Sequence, residues 1–331
     1  MKRLRLPFFS IFPVLFLLSG SAQAALRVGV VLDKGGRDDK SFNAAAVRGA
    51  EDAKKKLGID LKIVEASDDN AYEPLLRSLA TKKYDIIFAI GISQRDALAK
   101  VSKQFPEQKF AIIDAEILAG NVRSLLFEEH EGSYLVGAIA AMKTKTGKIG
   151  FVGGMEIPLI KRFEMGYRAG AQKVNPKIQV VANYVGISSD AWNNPPRAKE
   201  LALAQSKAGV DVIFSAAGAS NFGVFDAVEE RKIYAIGVDS NQNFVKPGFI
   251  LTSMLKRVDV AVLRTIDDLN AGKFETGVTR FGLKNDGIDY AVDEYNRNLL
   301  TDKDLQEVQK LKQKILKAEI SVPDYYKTSK H

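Results

Sequence analysis

Cysteine is absent from all 331 residues, which excludes disulfides, thiolate metal sites, iron–sulfur clusters and cysteine nucleophiles. Histidine occurs only at His130 and His331, so a multi-histidine metal site cannot be assembled and a catalytic triad has one internal histidine to draw on. No G-x-G-x-x-G follows the first strand-like run, which weighs against a dinucleotide enzyme. No basic stripe with interleaved aromatics is present, so nucleic acid is not an expected partner. No run of apolar residues reaches the roughly 20 that a membrane-spanning helix needs. These absences lean towards a binding protein rather than an enzyme, and no cofactor is expected.

What is present begins with an export pattern. Lys2, Arg3 and Arg5 precede an apolar run from Leu6 to Leu18, broken only by Pro7, Ser10 and Pro13. Ala22-Gln23-Ala24 then supplies small residues where signal peptidase needs them, so residues 1–24 read as a signal peptide cleaved after Ala24. Removing them takes away three bases and no acid, leaving 45 basic against 40 acidic residues. The bases that remain are mixed with acids, as in Glu51-Asp52-Ala53-Lys54-Lys55-Lys56, the pattern of a solvated helix face.

Through most of the mature chain, short apolar runs alternate with helical patterns. Leu26–Leu32, Leu61–Ala66, Tyr84–Ile90 and Phe110–Asp114 read as strands, with helices over Ser41–Leu57, Tyr72–Thr81 and Ser93–Gln104. Ala138–Gly147 reads as a passage, after which the pattern restarts. Strands are expected at Lys148–Val152, Ile178–Tyr184, Val210–Ser215 and Ile233–Val238, and helices near Leu159–Lys173, Arg197–Lys207 and Phe222–Arg231. A strand over Phe249–Met254, a helix over Val258–Asn270, late strands at Thr279–Leu283 and Asp289–Val292, and a charged helix over Asp302–Ala318 complete the chain. Apolar strands without alternation, set between helices, predict two α/β units with parallel sheets covered on both faces. Such sheets bind ligands beyond the carboxyl ends of their strands, and two facing each other form a closable cleft.

The residues following the strands are the ones to inspect. Phe42 sits near a helix start after Asp33-Lys34-Gly35-Gly36, where it either stacks on a flat ligand or plugs the helix end. Stacking of that kind contributes about 1–3 kcal/mol per base in nucleic-acid systems. Asp114 ends FAIID and Asp239 ends AIGVD, positions suited to accepting bonds from sugar hydroxyls or a base N–H, or to capping a helix. Trp192, the only tryptophan, lies among Ser, Asp, Asn and Pro, which predicts an exposed recognition residue rather than core. Gly218, in Ala216-Ala217-Gly218-Ala219-Ser220, lets a ligand approach the backbone or simply turns the chain from strand to helix. Lys256 follows a strand and either meets a ligand and a carboxylate such as Asp239 or stands in solvent.

At these residues the chain resembles the basic membrane protein (BMP) family of substrate-binding proteins, which includes purine-nucleoside receptors of ABC transporters. The matching stretches are DKGGRDDKSFN, FAIID, FEEHEGSYLVGAIAA, KIGFVGG, RFEMGYRAGA, SSDAWNNP, GVDVIFSAAG, AIGVDSNQN and ILTSMLKRVD, covering most of residues 27–262. The resemblance implies a type I periplasmic binding protein fold, with two Rossmann-like lobes, each with a central parallel sheet, joined by a hinge. It implies a purine held between Phe42 and Trp192, Asp33 and Asn43 lining the first lobe's side, and Asp114 reading the base edge. It also implies Gly218 and Asp239 at the ribose, accompanied by Lys256. The implied ligand is a purine nucleoside (adenosine, guanosine or inosine), and the implied partners are an ABC permease and its ATPase. Anchored relatives carry a lipobox cysteine; its absence here predicts a free periplasmic carrier.

The expected division is 1–24 signal peptide, 25–142 plus about 250–290 first lobe, 143–249 plus about 291–318 second lobe, and 319–331 as a peripheral tail. Two alternatives share the scaffold: a sugar or signalling ligand in the same cleft, and a nucleoside hydrolase using Asp33, Asp38 and Asp39 around a cation. Lys34, Arg37 and Lys40 intervene among those aspartates, and no second acidic motif completes a ligand shell.

Overall fold

Runs such as VGVVL, IIFAI and FAII have no polar face to present to solvent, and each becomes a strand buried on both sides. The computed structural model describes residues 24–328; all of the expected signal peptide 1–24 but Ala24 lies outside them. The first sheet is built from β1 (Arg27–Leu32), β2 (Asp60–Glu65), β3 (Ile86–Ile90), β4 (Phe110–Ile113) and β5 (Val122–Phe127), with helices α1 (Phe42–Leu57), α2 (Tyr72–Thr81) and α3 (Arg95–Gln104) between them. The chain then continues through α4 (Glu129–Lys143), β6 (Lys148–Met155), α5 (Pro158–Val174), β7 (Gln179–Gly186), α6 (Pro195–Lys207), β8 (Val212–Ala216), α7 (Asn221–Arg231), β9 (Tyr234–Asp239) and β10 (Ile250–Lys256). It closes with α8 (Val258–Asn270), β11 (Gly277–Phe281), β12 (Ile288–Tyr290), α9 (Asp302–Leu316) and α10 (Tyr325–Thr328).

The strand orders are β11-β5-β4-β3-β1-β2 and β12-β10-β9-β8-β6-β7, parallel throughout except for β12 against β10. This is the expected two-lobed α/β architecture. The chain passes between the sheets three times: after Phe127, after Lys256, and after Phe281. Glu128 N donates to Phe281 O at 2.8 Å and Arg257 N to Gly287 O at 2.9 Å, so the three passages are laced together.

Three expectations about organisation are corrected. Residues 250–256 form β10 inside the second sheet, because their apolar side chains sit between β9 and β12 rather than on the first lobe. Residues 129–143, of which 129–142 were expected with the first lobe and those from Ala138 in the passage between lobes, form one helix packed on α5. Glycines bring the two helices into backbone contact: a Cβ at Gly137 would stand 2.0 Å from Tyr167 O, and one at Gly170 1.8 Å from Tyr134 O. The tail is also not wholly peripheral, since Asp324 is buried against Arg162.

Candidate functional site

Every one of the candidate residues Asp33, Phe42, Asn43, Asp114, Trp192, Gly218, Asp239 and Lys256 lines a single cavity between the carboxyl ends of the two sheets. The loops that build it are held by local chemistry. Asp39 caps α1, accepting from the backbone N–H groups of Ser41, Asn43 and Ala44 at 2.8, 2.8 and 2.9 Å. The Asn43 side chain accepts from Asp33 N at 3.1 Å and donates to Asp33 O at 3.0 Å, which fixes the end of β1 against the helix start. Asp33 itself accepts from Tyr72 OH, from Lys34 N at 2.8 Å and from Ser93 Oγ at 3.3 Å.

This wiring leaves no cation shell among Asp33, Asp38 and Asp39. Both oxygens of Asp39 serve the helix, Asp33 is engaged by hydroxyls, and Asp38 points to solvent beside Lys40. Among the described residues, Glu128, His130 and Asp324 do bring ligand atoms within 4.8 Å of one another. Arg162 donates to both of those carboxylates, so the cation already present there is a guanidinium.

Asp114 and Asp239 end their strands with φ of 69° and 64°, a left-handed conformation that a non-glycine residue adopts at some cost and that recurs at functional sites. Asp239 reaches across the cleft to accept from Ser41 Oγ at 2.6 Å. Lys256, 1% exposed, donates to Asp114 Oδ2 at 2.6 Å and stands 3.2 Å from Glu129 Oε1. Its ammonium also lies 5.1–5.5 Å from the ring centres of Phe42, Phe127 and Phe163. The sequence left a solvated lysine open at this position; burial decides against it.

Trp192 departs from its expected exposure. It is half-buried as a cavity wall, with its ring on the bare backbone of Gly154, where a Cβ would come within 2.1 Å of Cζ3. Its Nε1 is buried without a partner, and so is Asp114 Oδ1. Orphaned groups of this kind are rare in a finished interior, and these two belong to residues that line the cavity alongside aromatic rings contributed from both lobes.

Burial dominates the electrostatics. It pushes Asp114 from the ordinary 3.8 up to about 7, against the pull of Lys256 and with Glu129 adding to the rise. Asp39 is likewise pushed up to about 7 by burial, with its backbone bonds opposing, and burial raises Asp33 and Asp239. Burial alone would lower Lys256, but Asp114, Glu129 and Asp239 outweigh it and hold the ammonium above its ordinary value.

Sequence reasoning missed Leu159, Ile160 and Phe163, which line the cavity from the first turns of α5, and the buried pair Glu129 and Arg162 behind Lys256. Helical spacing marks Leu159 and Phe163 as one face, but gives no sign that the face meets a cleft.

Residues 26–325 match the Bmp family, described as ABC transporter substrate-binding protein, PnrA-like. The ABC transporter nucleoside-binding protein BmpA of Lactococcus lactis is 34% identical over 328 residues, covering 92% of this chain and 91% of its own. A Pyrococcus furiosus protein named as an uncharacterized lipoprotein is 36% identical over 283 residues, covering 80% and 70%. The crystal structure of an ABC transporter solute-binding protein from Aeropyrum pernix superposes with a TM-score of 0.82 at 32% identity, covering 91% of this chain and 96% of that one.

Proposed function

The chain belongs to the Bmp family of PnrA-like ABC transporter substrate-binding proteins, and from that premise we propose that it captures purine nucleosides in the interlobe cavity and delivers them to a permease driven by its ATPase. The observation that carries the ligand assignment is the meeting of Phe42 and Trp192, from different lobes, at one cavity. Two aromatic walls accept the flat face of any purine, and polar groups around them supply the selectivity that stacking lacks. Asp114 Oδ1 and Trp192 Nε1, both without partners, are available to bond the ligand's own donors and acceptors. Asp239 and Lys256, polar members of the lining, suit ribose hydroxyls. Asp33, Asp39, Asp114 and Asp239 stand against one lysine in the lining, so an added phosphate is disfavoured and the ligand is a nucleoside rather than a nucleotide.

The chain works as a carrier exported by cleavage after Ala24. With no cysteine to take a thioether lipid, it is released free into the periplasm, unlike a lipoprotein relative.

Calorimetry against adenosine, guanosine, inosine, adenosine monophosphate and ribose tests the assignment. Nucleosides bind, and Phe42→Ala or Trp192→Ala each weakens binding by about 10- to 100-fold, the loss of one stacking face. Undiminished affinity in both variants, binding of ribose alone, or release of free base from inosine would overturn it.

A further inference from the structure

Behind the cavity, Asp114 is the inner end of a chain of buried ion pairs that reaches the C-terminal segment. Lys256 Nζ donates to Asp114 Oδ2 at 2.6 Å and lies 3.2 Å from Glu129 Oε1. The other oxygen of Glu129 accepts from Arg162 Nη1 at 2.7 Å. Arg162 then grips Asp324 with both arms, Nε to Oδ1 at 2.7 Å and Nη2 to Oδ2 at 3.0 Å, and also donates to Glu128 Oε2 and Phe127 O. Lys256, Glu129, Arg162 and Asp324 are exposed by 1%, 1%, 2% and 5%, so water screens none of these contacts strongly.

The placement of the members matters as much as the distances. Glu128 and Glu129 follow β5, where the chain first leaves the first sheet, and Lys256 ends β10, where it returns. Arg162 stands on α5 in the second lobe, and Asp324 comes from beyond the last long helix. A carboxylate shared between two cations divides its attraction between them, so whatever draws Arg162 away from Glu129 alters how firmly Lys256 is held on Asp114.

We propose that Arg162 and Asp324 are positioning residues of the ligand site: the C-terminal segment, through Arg162 and Glu129, sets the hold of Lys256 on Asp114. Neither residue lines the cavity. The groups facing Asp114 are Lys256, Glu129 and Asp239. Those facing the guanidinium are Glu128, Glu129 and Asp324, with His130 and the Tyr326 ring beside it. Further out, Arg280 and Lys327 flank Glu128 and Asp324 at 3.7 and 3.9 Å.

The consequence for ligand capture rests on the nucleoside reading above, but the wiring is testable without ligand. Carbon-detected NMR of the full chain, labelled at aspartate carboxyls and assigned by loss of the Asp114 signal in Asp114→Asn, follows the Asp114 titration. In Asp324→Asn, which keeps shape, Arg162 turns more fully to Glu129, Lys256 turns to Asp114, and the Asp114 midpoint moves down. In Arg162→Met, Glu129 loses its partner, competes for Lys256, and the midpoint moves up. Shifts of opposite sign are the expected result; a purely structural role would lower thermal stability and leave the titration in place. An unmoved midpoint in Asp324→Asn overturns the proposal even if Arg162→Met fails to fold. Failure of every nucleoside to bind while the midpoints shift would sink the nucleoside reading and leave the wiring standing.

Discussion

Lys256 Nζ lies 2.6 Å from Asp114 Oδ2, although the two residues end strands of different sheets. One ammonium therefore joins the lobes at the cavity, and among the described residues it is the only cation in the lining. Lys256→Met leaves Asp114 and Glu129 buried without that partner, a loss of about 3–5 kcal/mol by the usual cost of breaking a buried pair. Urea unfolding measures it. The deficit shrinks at pH 5, where the stranded carboxyls take up protons, and a deficit independent of pH would contradict the account.

Asp114 also makes stability fall as pH rises. Its carboxyl is held at about 7 in the fold against the ordinary 3.8, with burial as the main cause. Between those values the folded state binds a proton that the unfolded state has released, so each step up in pH costs stability until about 7. Asp39, also pushed up to about 7 by burial, acts in the same direction. His130, lowered by burial, acts in the opposite one. Removing a single group isolates its share: Asp114→Asn flattens the decline of melting temperature between pH 5 and pH 8. Nucleoside affinity moves the other way, rising in the parent up to about pH 7 as the carboxylate forms and collapsing in the variant. Calorimetry and thermal melts across that range check both halves.

Gly154 is required by the Trp192 ring. A methyl group at that position meets Cζ3 at 2.1 Å and Cε3 at 2.4 Å, so the indole must leave its seat. Gly154→Ala is expected to weaken nucleoside binding about tenfold or more while costing about 1–3 kcal/mol of stability, the usual range for overpacking. Tryptophan fluorescence reports the ring directly, since Trp192 is the sole emitter of its kind. An unchanged emission spectrum with unchanged affinity would contradict the packing argument.

Much of this was legible in the chain itself, for identifiable reasons. The central strands carry apolar residues on both faces, so their runs stand out without any partner being known, and the cavity residues follow those runs directly. β5 was hidden because Arg123 and Ser124 interrupt it; Arg123 is buried with Asp268 accepting from it at 2.7 Å, the Glu275 carbonyl accepting from its Nε at 2.5 Å and Phe274 lying under it. α4 was hidden because it is buried all round from His130 to Ala140 apart from Glu131, which erases helical periodicity. Arg162 sits in the expected helix near Leu159–Lys173, and its carboxylate partners are 33, 34 and 162 residues away. Pairings at such separations leave no local pattern.

Across the mouth of the cleft, Lys34 pairs with Asp190 and Ser189 Oγ donates to Asp69 Oδ1 at 2.7 Å, each contact joining a loop of one lobe to a loop of the other. The Lys34–Asp190 pair is far more exposed than the Lys256 network, with the Asp190 side chain 69% accessible, whereas Ser189 is buried. Screening by salt weakens such a pair while leaving buried ones nearly untouched. Raising ionic strength from 20 mM to 500 mM should therefore speed nucleoside release in stopped-flow experiments by at most about fivefold, with little change in the rate of capture. Asp190→Asn is expected to release ligand faster already at low salt and to lose most of the remaining salt dependence. Release rates in that variant that still climb with salt as steeply as in the parent would show that the closed state is held elsewhere.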